Sequence, residues 1–489
     1  MTLPDAAPAA PNIVTIILDC VRWKSLSLGH GTRIARTPTM DALARKGTSF
    51  SRAVAPANWT VPAMMSVATG TYPSTHQRRS FVTGPAPLET AASWVARAGY
   101  ETVMFTEQIH LVAGYGLEEG YVTRFSPADR LSAQGENRTI TNQLFLHSNV
   151  LYSNTVRQLI QSVPPFIIPI NLVNHQSEVE FKRRVAGPEI VSQFAEWMRV
   201  RKPGRPLHLL FNFVDGHEPY PRTDEWDSLT FLQKWYARTP KFYLLSVPRM
   251  QEVVPWREFE GGYLLAVESA DAKVARVMAA LSAAGELERS LIILTADHGQ
   301  CFGEDGHVFH GNGAVDAVTR VPLVVVPPSG MSLPSRVDSW TSLCEIHGWM
   351  KATAKGLPPF GEDGRAPAPF APELPNPETV YSEGNPAGDV NRSLAGIGKD
   401  RTWNHRLVAA YRGDEKYLWD MESGAVLHWL LKTDPDHTTP EILSGSERDR
   451  IRDQVFGPYE RGAPSGQAQA EVVEREELTD KRMRSWGYD

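Results

Sequence analysis

Leu291, Ile292, Ile293, Leu294, Thr295, Ala296, Asp297, His298 and Gly299 form the stretch whose reading decides the fold. Four apolar residues that end abruptly in an acid and an imidazole predict a buried parallel strand whose carboxyl end delivers Asp297 and His298 into a crevice. Open α/β sheets place their ligands there. A second run of the same kind, Ile13, Val14, Ile16, Ile17 and Leu18, carries the chain to Asp19. Two acids and a histidine at strand ends point to one metal ion, although either acid alone serves equally well as a helix cap or a turn residue.

Outward from these strands, residues 41–46, 91–98 and 270–284 place apolar side chains at helical spacing. Short apolar runs at 102–105, 207–213, 291–294 and 322–326 read as strands. The alternation predicts an α/β fold, a large mainly parallel sheet sandwiched by helices. A proline-rich stretch at 357–377 marks a boundary, giving a catalytic domain at 1–375 and a small C-terminal α+β subdomain at 376–489. Beyond it, 416–420 and 425–431 read as strands and a charged helical tail follows. The apolar segment 159–173, broken by Pro164, Pro165 and Pro169, is too short to span a bilayer. An inserted lobe over the active site, or core packing, is favoured there over a lipid-binding surface.

Between the two strands lies the segment expected to carry the reaction. Asn58, Trp59 and Thr60 lead into Val61, Pro62, Ala63, Met64 and Met65, and Gly70 closes the run. Proline just inside and glycine just past such a run predict a helix whose first turn begins near Pro62, with Thr60 at or beside its N-cap. A helix N-terminus offers amide donors and a partial positive charge to a tetrahedral oxyanion.

Composition bounds the reading. A chain of 489 residues with 42% hydrophobic content buries a large core. A net charge of -6 argues against nucleic acid as a partner. Three cysteines, Cys20, Cys301 and Cys344, are too few for a disulfide framework. Residues 1–11 lack a basic and apolar signal segment, which gives a cytoplasmic expectation.

In this order the motifs resemble the sulfatase-like branch of the alkaline phosphatase superfamily. The matching pieces are the run from Pro11 to Asp19, Thr37 to Asp41 with Gly47 and Phe50, and Trp59 to Pro62 with Thr69 and Gly70. Further along stand Asp215, His217, Pro219 and Tyr220, then Thr295 to Gly299, His310 with Gly311, Arg320 to Leu323, and a last turn from Arg484 to Tyr488. The resemblance implies a small antiparallel sheet closing the C-terminal end, and metal ligation by Asp19, Thr60, Asp297 and His298. It places His217 near the leaving-group oxygen, His310 against the anion, and His110 on the substrate, with Gln108 where many sulfatases carry a second, cationic contact.

The departures from that family are as informative as the matches. Sulfatases carry at position 60 a cysteine that becomes formylglycine within a Cys-x-Pro-x-Arg pattern, whereas Thr60, Pro62 and Met64 stand here. Thr60 resembles the direct Ser or Thr nucleophile of the superfamily's phosphatases and phosphotransferases. Sulfatases usually place a second acid after the first; this chain has Cys20. Losing a hard oxygen while keeping His298 favours Zn²⁺ or Mn²⁺ over Ca²⁺ or Mg²⁺. The spacing of Asp215 and His217 does not fit the Asp-x-x-x-His of two-zinc relatives, so one divalent ion is expected.

A threonine hydroxyl is a weak nucleophile that needs an adjacent base or a metal. The expected activity is therefore metal-dependent hydrolysis or transfer of phosphate mono- or diesters through a covalent Thr60 intermediate. A sulfuric ester hydrolase without formylglycine and a catalytically silent binding protein are the alternatives. The expected substrate is a small-molecule or lipid-like anionic ester. No transmembrane segment is expected, and the oligomeric state stays open, a homo-oligomer included.

Overall fold

The computed structural model describes residues 10–126 and 189–461, apart from positions 30, 80–83, 85, 113, 219, 222, 224–226, 231–232, 234–253, 305–306, 312, 369, 373, 377, 385–404 and 435–438. The segment 159–173 and the last turn, 484–488, lie outside the described residues.

The first strand, β1 (Asn12–Leu18), is buried at every position, as a strand flanked by parallel neighbours and covered on both faces must be. It pairs in parallel with β5 (Leu207–Phe213) on one side and β6 (Ser290–Thr295) on the other. Asn12 ties their starting ends together. Its side chain donates to Glu286 Oε2 at 2.9 Å and accepts from the Leu207 amide at 2.9 Å.

The main sheet has eight strands in the order β8-β2-β7-β6-β1-β5-β3-β4, with β2 at Thr48–Phe50, β3 at Glu101–Thr106, β4 at Thr123–Phe125, β7 at Leu323–Val326 and β8 at Arg336–Val337. The expected mainly parallel sheet is present. The exception is β7, which runs antiparallel to both β6 and β2. Its Leu-Val-Val-Val run is buried on both faces like its neighbours, and such a run carries no signal of direction.

Helices pack in two groups: α1 (Pro38–Lys46) and α4 (Glu189–Val200) each meet α5 (Trp256–Ala283), while α2 (Thr60–Thr69), α3 (Ala91–Arg97) and α6 (Glu345–Ala354) meet one another. α5 starts well before the expected residue 270. Its first turns bury Glu258 and Gly262 beside Phe259, Tyr263 and Ala266, and a carboxylate and a glycine on the buried face weaken the apolar periodicity visible in the sequence. Among the described residues no helix is long and apolar enough to cross a membrane.

The antiparallel C-terminal sheet is also present, with β9 (Val380–Gly384), β10 (Leu407–Arg412), β11 (Glu415–Asp420), β12 (Val426–Leu430) and β13 (Glu441–Leu443) in simple sequence order. Its core of Tyr381, Val408, Tyr417, Trp419 and Phe456 reaches Tyr72 and Cys344 of the main body. β9 also pairs with the residues just ahead of Thr60. The Asn58 amide donates to Glu383 O at 3.2 Å, and the Glu383 amide donates to Pro56 O at 2.9 Å. The Glu383 side chain is fully buried and accepts from Arg79 Nη2 at 3.1 Å and from the Tyr459 hydroxyl.

Burial alone would raise the Glu383 carboxyl, but the Arg79 guanidinium beside it prevails and holds it at about 2, against an ordinary 4.5. A depressed folded-state value stabilises the fold at every pH above the ordinary carboxylate range, and that contribution is lost as pH falls from 4.5 toward 2. Denaturant unfolding across that window is expected to show wild-type stability falling with pH. Glu383→Gln is expected to be less stable at pH 7 by about 3 kcal/mol, since it strands Arg79 in a buried site, and to change less with acid.

Candidate active site

Four adjacent parallel strands end at the same edge, and each delivers residues into one crevice. β6 leads to Asp297 and His298, β1 to Asp19 and Cys20, β5 to His217, and β3 to Gln108 and His110. The register sets Leu18 opposite Phe213 and Ile17 opposite Thr295, so the exits lie side by side. Gly216 lets the β5 exit lie directly on β1. A Cβ there would sit 2.4 Å from the Asp19 carbonyl oxygen.

Thr60 is the first residue of α2, two positions before the expected start, because Trp59 in extended conformation serves as N-cap. No side chain caps this first turn, so its partial positive charge faces the crevice. At the far end Gly70 closes α2 with φ of 70°, where a side chain would also strike the His347 ring. Thr60 Oγ1 lies 3.3 Å from His298 Nε2.

His298 is fully buried and its Nδ1 lies 2.9 Å from Gly299 O. A carbonyl only accepts, so Nδ1 carries the proton and Nε2 presents a lone pair. That lone pair faces Asp297 Oδ2 at 3.5 Å and Asp19 Oδ1 at 3.8 Å. Asp297 Oδ1 accepts from the His298 amide at 2.9 Å and the Cys20 amide at 3.4 Å, while Oδ2, equally buried, has no hydrogen-bond partner. Burial pushes the Asp297 carboxyl up to about 6, and burial together with the Asp297 charge raises Asp19. Two buried carboxylates and an imidazole lone pair converging, with Asp297 Oδ2 left unpartnered, fit a cation, and an imidazole held through Nδ1–H on a backbone carbonyl is the usual form of a metal-bound histidine. The donor set of two carboxylates and one imidazole suits a divalent ion.

The histidines expected to serve the substrate also gather here. The rings of His217 and His310 lie 4.7 Å apart between centroids, and His298 and His310 the same. His310 Nδ1 lies 2.7 Å from Gln300 Oε1. The Gln300 amide nitrogen donates to Glu218 Oε2 at 2.8 Å, which fixes the amide orientation and therefore the His310 tautomer, with its proton on Nδ1. His217 Nδ1 lies 2.8 Å from Glu218 O, so it too donates through Nδ1. The loop carrying His310 is tied to the segment just ahead of Thr60, the Gly311 amide donating to Asn58 O at 2.9 Å and Asn58 Nδ2 to Gly313 O at 3.0 Å.

His110 is half-buried beside Tyr115, and burial together with the nearby His217 lowers it to about 4, so it is uncharged at neutral pH. Gln108, the second residue expected on the substrate, meets the carboxylate at the end of β1. Its Nε2 donates to Asp19 Oδ2 at 2.8 Å and orients that carboxylate. Asp215 is engaged away from the crevice, accepting from Lys273 Nζ at 2.6 Å and Ser269 Oγ at 2.9 Å; Lys273 also donates to Glu107 at 2.7 Å. Gln300 and Glu218 were not singled out from the sequence. Their only signal is position, one just past Gly299 and the other beside His217, since their contact closes over more than 80 residues.

A family model described as Sulfatase matches residues 11–336. The arylsulfatase of Clostridium perfringens (strain 13 / Type A) is 21% identical over 466 residues, covering 90% of this chain and 92% of the relative. The choline-sulfatase of Rhizobium meliloti (strain 1021) is 23% identical over 365 residues, covering 69% of this chain and 68% of that protein. Among solved structures, the phosphonate monoester hydrolase of Agrobacterium radiobacter superposes with a TM-score of 0.57 at 17% identity, over 97% of this chain and 96% of that one.

The converging acceptors give the next expected outcome. Elemental analysis of purified protein is expected to find about one equivalent of divalent metal, and Asp297→Ala or Asp19→Ala to lose most of it. Two tightly held ions per chain would contradict the expectation of one.

Proposed function

The chain belongs to the sulfatase family, and from that membership we propose a metal-dependent hydrolase or transferase that acts on phosphate mono- or diesters through Thr60. The observation that carries this reading is Thr60 itself, at the uncapped start of α2 with Oγ1 3.3 Å from His298 Nε2. The relatives named above are an arylsulfatase, a choline-sulfatase and a phosphonate monoester hydrolase, and the choice of phosphate esters for this chain rests on the chemistry of Thr60. A hydroxyl attacks once and has no second oxygen with which to expel the transferred group, so a second nucleophile must release it. A phosphothreonine is open to such release by water or an alcohol.

Asp19, Asp297, His298 and Thr60 would hold the metal ion, which supplies Lewis-acid stabilisation of anionic oxygen when bound. In the first half-reaction Thr60 Oγ1 forms the bond to phosphorus and the bond to the leaving oxygen breaks. The Thr60 Oγ1 proton passes to the Nε2 lone pair of His217 or His310, and the imidazolium so formed gives its Nε2 proton to the leaving oxygen. The second half-reaction runs the same steps with water or an acceptor alcohol in place of the leaving group. The α2 N-terminus lies against the transferred group's oxygens. With His110 uncharged and Gln108 turned to Asp19, the crevice near Thr60 suits a singly charged ester better than a dianion. A small or lipid-like phosphodiester is therefore the preferred substrate class.

Rates on aryl and alkyl phosphodiesters, phosphate monoesters and sulfate esters test the reading. Thr60→Ala is expected to lower kcat/KM at least about 10³-fold and Thr60→Ser to keep measurable turnover. His217→Ala or His310→Ala is expected to slow alkyl esters by roughly 10²-fold more than nitrophenyl esters, which leave without a proton. Sulfate ester turnover exceeding that of every phosphorus ester would favour the sulfuric ester reading, and full activity of Thr60→Ala would rule out attack by Thr60.

A further inference from the structure

Cys20 stands between Asp297, which accepts from its amide, and His310, which its sulfur approaches. It follows β1 with φ of 65°, a left-handed conformation that non-glycine residues adopt rarely and at a cost. This turn sets Sγ 3.0 Å from Asp19 Oδ1 and 3.5 Å from His310 Nδ1. Asp19, Cys20 and His298 each offer a donor atom, and the three lie within 4.8 Å of one another. A separate observation points to the same spot: Asp297 Oδ2, fully buried and without a hydrogen-bond partner, lies 3.5 Å from His298 Nε2.

We propose that Cys20 Sγ is itself a ligand of the metal, completing a sulfur, nitrogen and oxygen set with His298, Asp19 and Asp297. The inference rests on the reading of that cluster as the metal centre and is independent of what Thr60 attacks. A thiolate is a soft donor that suits Zn²⁺ and is avoided by Mg²⁺, Mn²⁺ and Ca²⁺, whereas a carboxylate at the same position would suit the harder ions. Position 20 thereby sets which metal the crevice selects. When the ion binds, the S–H bond is exchanged for a sulfur–metal bond and the thiol proton leaves to solvent. Cys20 is fully buried, and its sulfur lies against the Asp19 carboxylate and the His310 ring.

The experiment reads coordination and leaves turnover aside, so its failure is separable from failure of the Thr60 chemistry. Wild-type protein loaded with Zn²⁺ is expected to show a sulfur shell at about 2.3 Å by X-ray absorption, a measurement that needs no variant. Loaded with Co²⁺, it is expected to show a near-ultraviolet sulfur-to-metal charge-transfer band that Cys20→Ser lacks. Cys20→Asp is expected to lower the preference for Zn²⁺ over Mg²⁺ at least about 10-fold. A zinc site with oxygen and nitrogen neighbours only, or a charge-transfer band that survives in Cys20→Ser, would overturn the assignment. A band that disappears in His217→Ala while Asp297→Ala keeps it would also overturn it, placing the thiolate in a different cluster with His217 and His310.

Discussion

The structure turns on an electrostatic conflict at the carboxyl edge of the sheet. Asp297 Oδ2, Asp19 Oδ1 and the Nε2 lone pair of His298 are buried and face one another. Nearby amides satisfy the other atoms of these groups; on this face the Cys20 thiol donates to Asp19 Oδ1 and the Thr60 hydroxyl to His298 Nε2, while Asp297 Oδ2 has no hydrogen-bond partner. In a low-dielectric interior such an arrangement is costly unless a cation occupies its centre. The cost of assembling it is borne by the β6-β1-β5 core, where every strand position is buried.

Everything around the cluster either holds these acceptors in place or aims chemistry at them. Gln108 orients Asp19, Gln300 and Glu218 set the tautomer of His310, and Gly216 brings His217 against β1. β9 of the C-terminal sheet pairs with 56–58 through main-chain bonds and anchors itself with the Glu383–Arg79 pair. The small sheet thus stabilises the turn from which Thr60 emerges.

Much of this was legible in the sequence because it is local. The apolar runs ending in Asp19 and in Asp297–His298 announced their own burial and their exit point, and the Pro62 to Gly70 pattern announced the helix behind Thr60. The antiparallel direction of β7 was not legible, since direction is decided by the connection and by pairing with β2. Nor were the roles of Gln108, Gln300 and Asp215, each decided by one partner distant in sequence: Asp19, Glu218 and Lys273. Cys20 was visible only as a departure from a resemblance, and its left-handed backbone and its contacts became apparent in three dimensions.

The central claim is that Thr60 accepts the transferred group covalently. Acid-quenching the enzyme within its first turnovers of an aryl phosphodiester, followed by intact-mass and peptide analysis, measures this directly. The account predicts a transient adduct with the mass of the esterified phosphoryl group, confined to the peptide containing Thr60 and absent from Thr60→Ala. Turnover that proceeds with no adduct at any quench time, or an adduct on another residue, would contradict it.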